Sequence, residues 1–309
     1  PDKFQVAFLN WVNSLIKLKE GDTISLDGKY FKASQSKSDG PVSLIGVINA
    51  YLTEGGVAMA VKKADFKKEG EKKVFKDMIE ILNLSGVTVT IDANGSFADI
   101  TNRILEKGGN YVVPLKDNQK TMHRLASDLF TKELKEKSEC DSIEKDHGRI
   151  ETRKCTAIPV PEEFVKLLCR RKNQRIRDRG KEEWKEINSL VQIINEREIN
   201  GKITKDIRTY VSSLKPNATK LSQIIRSHWK IENKLHYALD VSFDEDRSRS
   251  KKGFGAENFA IIRRLVINLL NKDASKKSIQ VKRLRASLDL NYLIKIIFGA
   301  QEKDLVQKV

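Results

Sequence analysis

Cysteine is scarce in this chain, and the little there is does not pair by spacing. Cys140, Cys155 and Cys169 are three in number, with no close pair along the 309 residues. Such a set offers neither a disulfide framework nor a zinc knuckle, and it fits a reducing compartment. Long apolar runs are missing too: none approaches the roughly 20 residues that a membrane-spanning helix needs. The N-terminus lacks the basic-then-apolar pattern of a secretion signal. No Walker loop, no Gly-x-Gly-x-x-Gly and no Gly-x-Ser-x-Gly occurs, so nucleotide hydrolysis and serine hydrolase chemistry have no support. Internal repeats are absent, and low complexity is confined to short charge runs. Negative charge is the last shortage. Against 58 Lys and Arg stand only 42 Asp and Glu, a formal net charge of +16. That balance points to an anionic partner, most naturally nucleic acid.

What is present suits a folded chain of more than one lobe. The hydrophobic share of 39% is that of a globular protein. The length allows a sizeable core. The chain begins at Pro1 inside an amphipathic stretch that places Phe8, Leu9, Val12, Leu15 and Ile16 on one helical face. Residues 1–20 therefore read as the last helix of something longer. Strand-like runs follow at 23–32, 42–52 and 57–63, the last two separated by Thr-Glu-Gly-Gly, a hairpin signal. Val74, Phe75, Met78, Ile81 and Leu82 then mark one face of a helix. A strand at 87–91 ends on Asp92, a helix over 97–107 closes on Gly108-Gly109, and 111–115 is a further buried strand.

Three strands, helix, strand, helix, strand is the order of a ribonuclease H-like arrangement, an α/β fold whose mixed sheet is flanked by helices. Residues 21–135 form its first part. The stretch 136–215 departs from this rhythm. His147, Arg149, Glu151, Arg153 and Cys155 alternate with their neighbours at the period of two that marks a strand. Further strand-like runs at 187–199 and 204–214 make it a β-rich insertion, with a segment dense in Arg and Lys at 169–185. Residues 216–309 are helical: a long helix from Asn217, a plausible N-cap, through Leu221, Ile224, Ile225, Trp229 and Leu235, then helices over 256–271 and 276–298.

Asp27, Asp92 and Glu232 carry the chemical interest. The first two end alternating strand-like runs, where a carboxylate resists burial without a partner. Carboxylates are hard oxygen ligands suited to Mg²⁺, and paired metal ions serve phosphoryl transfer. Each acid also has a plain structural explanation. Asp27-Gly28 is a turn dipeptide and Asp92 precedes a helix as an N-cap would. Glu232 shares a four-residue spacing with His228, His236 and Asp240, which is either a metal-binding stripe or a solvated polar face. Lys116, Asn118 and Gln119 follow a buried strand, fitting either phosphate contact or a turn into a helix. The face His147, Arg149, Glu151, Arg153 suits DNA or cross-strand ion pairs alike. The run holding Arg170, Arg171 and Arg175 reads as a phosphate-contacting loop or a solvated one. Trp184, just after it, fits base stacking or core packing.

Taken in order, several motifs resemble the DDE transposases of the H-repeat-associated insertion-sequence group. They are Leu-Asp-Gly-Lys at 26–29, Thr-Ile-Asp-Ala at 90–93, Leu-Lys-Asp-Asn-Gln at 115–119, and His-Gly-Arg-Ile-Glu-Thr-Arg at 147–153. Ile-Arg-Ser-His-Trp-Lys-Ile-Glu-Asn-Lys-Leu-His-Tyr-Ala-Leu-Asp begins the most specific block, 225–246, and Ala-Glu-Asn-Phe-Ala with Ile-Arg-Arg closes the set at 256–264. The resemblance spans almost the whole chain. It implies a ribonuclease H-like catalytic core with Asp27, Asp92 and Glu232 as catalytic and metal-binding triad. It also implies Mg²⁺, replaceable by Mn²⁺, and double-stranded DNA (terminal inverted repeats and target) as partner, with a homodimer on DNA. The activity implied is hydrolysis at transposon ends followed by attack of the freed 3′-hydroxyl on target DNA. Residues expected at the DNA are Lys29, Lys116, Asn118, Gln119, His147, Arg149, Arg153, Arg170, Arg171, Arg175, Trp184, Arg226, His228 and Trp229. The setting expected is the bacterial cytoplasm, at the nucleoid, with no membrane partner. Lys32-Ala33 stands where the group usually has Arg-Gly, and Phe97 where Gln is common.

Overall fold

The computed structural model describes residues 1–31, 45–65, 68–134, 136–146, 148–162, 164–166, 183–250 and 253–299. The chain forms two compact units, one of Pro1–Leu18, Ser25–Met78 and Trp229–Val309, the other of Lys19–Ile24 and Ile79–His228. Each has its own reasons to fold.

In the first unit, helix α1 (Asp2–Leu15) buries Phe8 and Val12 and leaves Val6 on its outer side. Strands β1 (Thr23–Tyr30), β2 (Ile45–Leu52) and β3 (Val57–Asp65) lie in the order β3-β2-β1. β2 and β3 form an antiparallel hairpin, with a bulge at Ala50/Tyr51. The turn between them is the Thr-Glu-Gly-Gly read from the sequence; Gly56 takes φ +64, which a residue with a Cβ adopts at a cost. Helix α2 (Lys68–Ile81) follows. After residue 229 come a π-helical segment (Ile231–His236) and helices α6 (Tyr237–Phe243), α7 (Gly255–Asn271), α8 (Ile279–Leu288) and α9 (Leu290–Phe298). Helix α7 packs on β3. Its Asn268 amide accepts from the N–H of Ala58 at 2.9 Å and donates to the C=O of the same residue at 2.8 Å. One side chain thus satisfies both backbone groups of a buried strand residue. The helix read over 276–298 is in fact two. Asp289 breaks it and caps the second helix, its carboxylate accepting from the Tyr292 N–H.

In the second unit, β4 (Thr88–Ile91) is wholly buried and pairs in parallel with β5 (Asn110–Leu115). The crossover between them is α3 (Ala98–Glu106). Gly108 and Gly109 end that helix in a Schellman motif: the Gly109 N–H bonds the Ile104 C=O, the Gly108 N–H bonds that of Leu105, and Gly108 sits at φ +72. α4 (Lys120–Leu129) comes next. Then β6 (Ser138–Asp146), β7 (Arg149–Pro159), β8 (Ser189–Ile199) and β9 (Lys202–Ser212) form an antiparallel meander, joined to β5 through β9. The order here is β4-β5-β9-β8-β7-β6. One face of the meander, Cys155, Ala157, Val191, Ile193 and Tyr210, packs on Ala218, Leu221, Ile224 and Ile225 of helix α5 (Ala218–Lys230). The Asn217 side chain accepts from the Lys220 N–H at 2.9 Å, the cap read from the sequence.

The element order β1-β2-β3-α2-β4-α3-β5 is that of the ribonuclease H-like arrangement, and a mixed sheet, a β-rich stretch and C-terminal helices bear out the expected class. Among the described residues, no helix is long and apolar enough to cross a membrane. Asn268→Ala would leave the N–H and C=O of Ala58 buried and unbonded. It is expected to lower unfolding stability by about 2–3 kcal/mol, read from urea transitions of the full chain. A loss under about 0.5 kcal/mol would show that the amide clip is not a structural tie.

Candidate active site

Strand β1 presents Asp27 and Lys29 on one face, two residues apart. Asp27 is half-buried. Its Oδ1 accepts from the Gly28 N–H at 2.9 Å, and its Oδ2 lies 3.6 Å from Nδ1 of His236. Lys29 is 6% exposed, with its ammonium 2.5 Å from Asp240 and 2.9 Å from Asp246. A buried cation between two carboxylates is committed inside the protein. This corrects the expectation that Lys29 meets DNA.

Glu232 is exposed and lies on the π-helical segment, where the Tyr237 N–H reaches back five residues to the Glu232 C=O. Such a turn holds an extra residue and shifts the register of everything after it. The stripe read at four-residue spacing is therefore not a single face. His236 is buried, bonded to Asn49; Asp240 is half-buried on Lys29; His228 belongs to the other unit. Neither the metal-binding stripe nor the solvated polar face describes these four residues.

Behind His236 runs a buried polar chain. Glu245 and Arg264, both wholly buried, form a two-pronged ion pair: Arg264 Nη1 meets one carboxylate oxygen and Nη2 meets the other at 3.0 Å. Arg264 Nε donates to Asn49 Oδ1 at 2.9 Å, and Asn49 Nδ2 lies 3.0 Å from His236 Nε2. Glu245 and Arg264 fall inside the motifs at 225–246 and 256–264, where neither is given a role. Yet Arg264 falls at a core position of α7 beside Ala260, Ile261, Ile267 and Asn268. A charge on an apolar helical face was the available signal.

In the second unit, Asp92 ends β4 and caps the short 3₁₀ turn Ala93–Gly95, its Oδ1 accepting from the Gly95 N–H at 3.2 Å. Its N-cap role is thus real. Burial nevertheless pushes its pKa above the ordinary carboxylate value, against the N–H groups of Gly95 and Asn94 and the charge of Lys116, which pull it down. The loop after Asp92 is held from below. Asn118 Nδ2 donates to the Ala93 C=O at 2.6 Å, and Gln119 Nε2 to that of Ser96 at 3.1 Å. These amides brace the loop, with Asn118 itself exposed. Lys116 is exposed.

Other expected DNA contacts also have internal partners. Arg153 bonds both Glu144 and Glu151, Arg149 lies 3.2 Å from Glu151, and Arg226 pairs with Glu144. Paired by two arginines, the Glu144 carboxyl is pulled down to about 2. The cross-strand ion pairs are therefore realised, although with Arg197 the cluster holds four guanidiniums to two carboxylates. Trp184, half-buried, packs against Tyr111 with ring centroids 6.0 Å apart. Trp229 is exposed. His147, Arg170, Arg171 and Arg175 lie outside the described residues, as does Cys169. Cys140 and Cys155, distant in sequence, face each other across β6 and β7 as free thiols.

His228, expected at the DNA, instead bonds the Thr90 hydroxyl at 2.9 Å through Nδ1. It ties α5 to the strand that ends on Asp92. Among the described residues, no three His, Cys, Asp or Glu side chains are gathered as a ready metal centre.

The two units are mixed α/β, with Asp27 inside β1 rather than at its end and Asp92 directly after β4. The family model for the transposase DDE domain matches residues 18–269, and the chain belongs to that family. It is a transposase-type protein. It is 32% identical to YbfL of Escherichia coli (strain K12) over 97% of this chain and 78% of that one. It is 31% identical, over the same shares, to the H repeat-associated protein YhhI of that strain, whose name proposes a transposase. A solved piggyBac transposase synaptic complex with hairpin DNA is similar over 94% of this chain and 57% of that chain, at 9% identity and a TM-score of 0.45.

Burial lowers the His228 pKa from 6.5 to about 4. Because the folded value lies below the unfolded one, the unfolded chain takes up this proton first as the pH falls. The stability owed to neutral His228 is thus full above the unfolded value and is lost as pH drops toward the folded one. Urea midpoints at neutral and mildly acidic pH should fall further for the unaltered chain than for His228→Gln. An equal fall in both would remove His228 as the cause.

Proposed function

We propose that this chain is a metal-dependent DDE transposase that cleaves phosphodiesters at transposon ends and joins the freed 3′-hydroxyl to target DNA. Asp27, Asp92 and Glu232 are its metal ligands and catalytic acids. The observation that carries the reading is the family match over residues 18–269, a stretch that contains all three acids. The residues suit a hard divalent cation. Each offers carboxylate oxygens, and the Asp92 carboxylate in particular is short of compensation for its burial. When bound, Mg²⁺ or Mn²⁺ would activate a hydroxyl nucleophile and neutralise charge on the attacked phosphate.

The chain's own residues supply the rest. Asp92 is held by the Ala93–Gly95 turn, which Asn118 and Gln119 brace from below. Lys116 adds positive charge at the same loop. Asp27 is oriented by the Gly28 N–H and stands beside His236. Exposed Trp229 and the arginine-rich face of β7 and β8 are the surfaces for the DNA backbone and bases. Two ends must be joined in one event, so a homodimer on DNA is the assembly that fits.

A second reading, DNA binding without cleavage, needs only the net charge of +16. The two separate on one assay, Mg²⁺- or Mn²⁺-dependent nicking of inverted-repeat DNA. Asp27→Asn and Asp92→Asn are each expected to reduce nicking by more than the roughly 10–100-fold that changes behind a ligand cost, while salt-sensitive DNA binding persists. Nicking left intact in both variants would refute the triad. Binding without nicking by the unaltered chain, with any divalent ion, would establish the second reading.

A further inference from the structure

The buried chain behind Asp27 fixes more than positions. A guanidinium carries only donors, so the Asn49 atom facing Arg264 Nε must be the amide oxygen. The amide NH₂ is then the group turned to His236 Nε2, 3.0 Å away. That nitrogen has to accept, because a proton on it would face another N–H. The ring proton therefore sits on Nδ1, the nitrogen 3.6 Å from Asp27 Oδ2. Three of the members cannot turn freely. Asn49, Glu245 and Arg264 are wholly buried, and Glu245 holds the guanidinium with both oxygens.

We infer that His236 is a positioning residue: Asn49 holds it as the Nδ1–H tautomer, and it presents that N–H to the carboxylate of Asp27. The inference rests on the reading of Asp27 as a metal ligand. It assigns His236 no contact with DNA and no proton transfer. The separation is 3.6 Å, an ion-pair contact rather than a short hydrogen bond. With the Gly28 N–H at one oxygen and His236 beside the other, the Asp27 carboxylate would be oriented before a cation arrives, as partners behind a ligand commonly arrange. The chain from Glu245 through Arg264 and Asn49 then sets the angle of a ligand on another element altogether. Glu245 follows α6, Arg264 lies on α7, Asn49 on β2 and Asp27 on β1.

The tautomer is read directly by long-range ¹⁵N–¹H correlation on the full chain labelled with ¹⁵N-histidine. The expected pattern for His236, assigned by comparison with His236→Phe, is a protonated Nδ1 and an accepting Nε2. A protonated Nε2 overturns the inference. Asn49→Asp, which replaces the facing N–H with an oxygen, should bring a proton onto Nε2; an unchanged pattern also overturns it. The positioning role is read from Mn²⁺ affinity by electron paramagnetic resonance, with no DNA present. His236→Phe is expected to weaken Mn²⁺ binding by roughly 10–100-fold. His236→Asn, which keeps an N–H near the Nδ1 position, should recover most of that loss at a matching thermal midpoint. Wild-type affinity in His236→Phe, where Asp27→Asn has lost it, sinks the positioning role. If Asp27→Asn binds Mn²⁺ as the unaltered chain does, the metal reading fails, and the metal-free tautomer experiment still decides the inference about His236.

Discussion

The buried ion pair of Glu245 and Arg264 is the constraint on which most of the first unit rests. Taking two full charges out of water costs several kcal/mol per ion, and the attraction between them returns that only when geometry is good and every donor is used. Here the geometry is two-pronged and two further donors are placed. Nε goes to Asn49 and Nη1 also reaches the C=O of Ala260. Removing one partner from such a pair typically costs about 3–5 kcal/mol because the other charge is stranded. The pair therefore fixes the segment after α6 against α7. It also fixes the amide of Asn49 on β2. The left-handed turn at Asp244, φ +52, is what delivers Glu245 into the core directly after α6 ends.

Lys29 and its two aspartates make a second internal arrangement with the same economy. Asp27 and Lys29 point the same way from β1, so one strand face sends a carboxylate toward His236 and an ammonium toward Asp240 and Asp246. Asp240 is raised above its ordinary pKa by burial, with the Lys29 ammonium opposing that shift. Opposite charges alternate along the strand, and their partners lie on the segment that also carries Glu232. Local order at Asp27 thus draws on long-range contacts that no window of sequence contains.

How much of this was legible divides along physical lines. Features set by a residue's own backbone preferences were readable: the Gly-Gly hairpin turn, the glycine C-cap after α3, and the Asn217 cap. Features set by alternation were readable where one face is buried, as in β7, β8 and β9. Strand β6 was not, because Ser-Glu-Cys-Asp-Ser-Ile-Glu-Lys-Asp is an edge strand with charge along its length and little burial to pattern it. The π-helical segment was invisible for a related reason. A periodicity argument assumes a constant turn, and one extra residue between Ile231 and His236 undoes every spacing that crosses it. The DNA contacts show the limit most plainly. Composition reveals how many arginines a face carries, whereas pairing to Glu144 and Glu151 depends on strand register. The same register sets Cys140 opposite Cys155, which separation along the chain had hidden.

Asn49 is the uncharged side chain that bridges the Glu245–Arg264 pair and the imidazole, and an amide neither gains nor loses a proton under ordinary conditions. It is also two-ended, with an acceptor at one side and donors at the other. The network consequently cannot carry a proton from the core to the carboxylate at the end of it. What passes along it is direction: the chain works as a linkage rather than a wire.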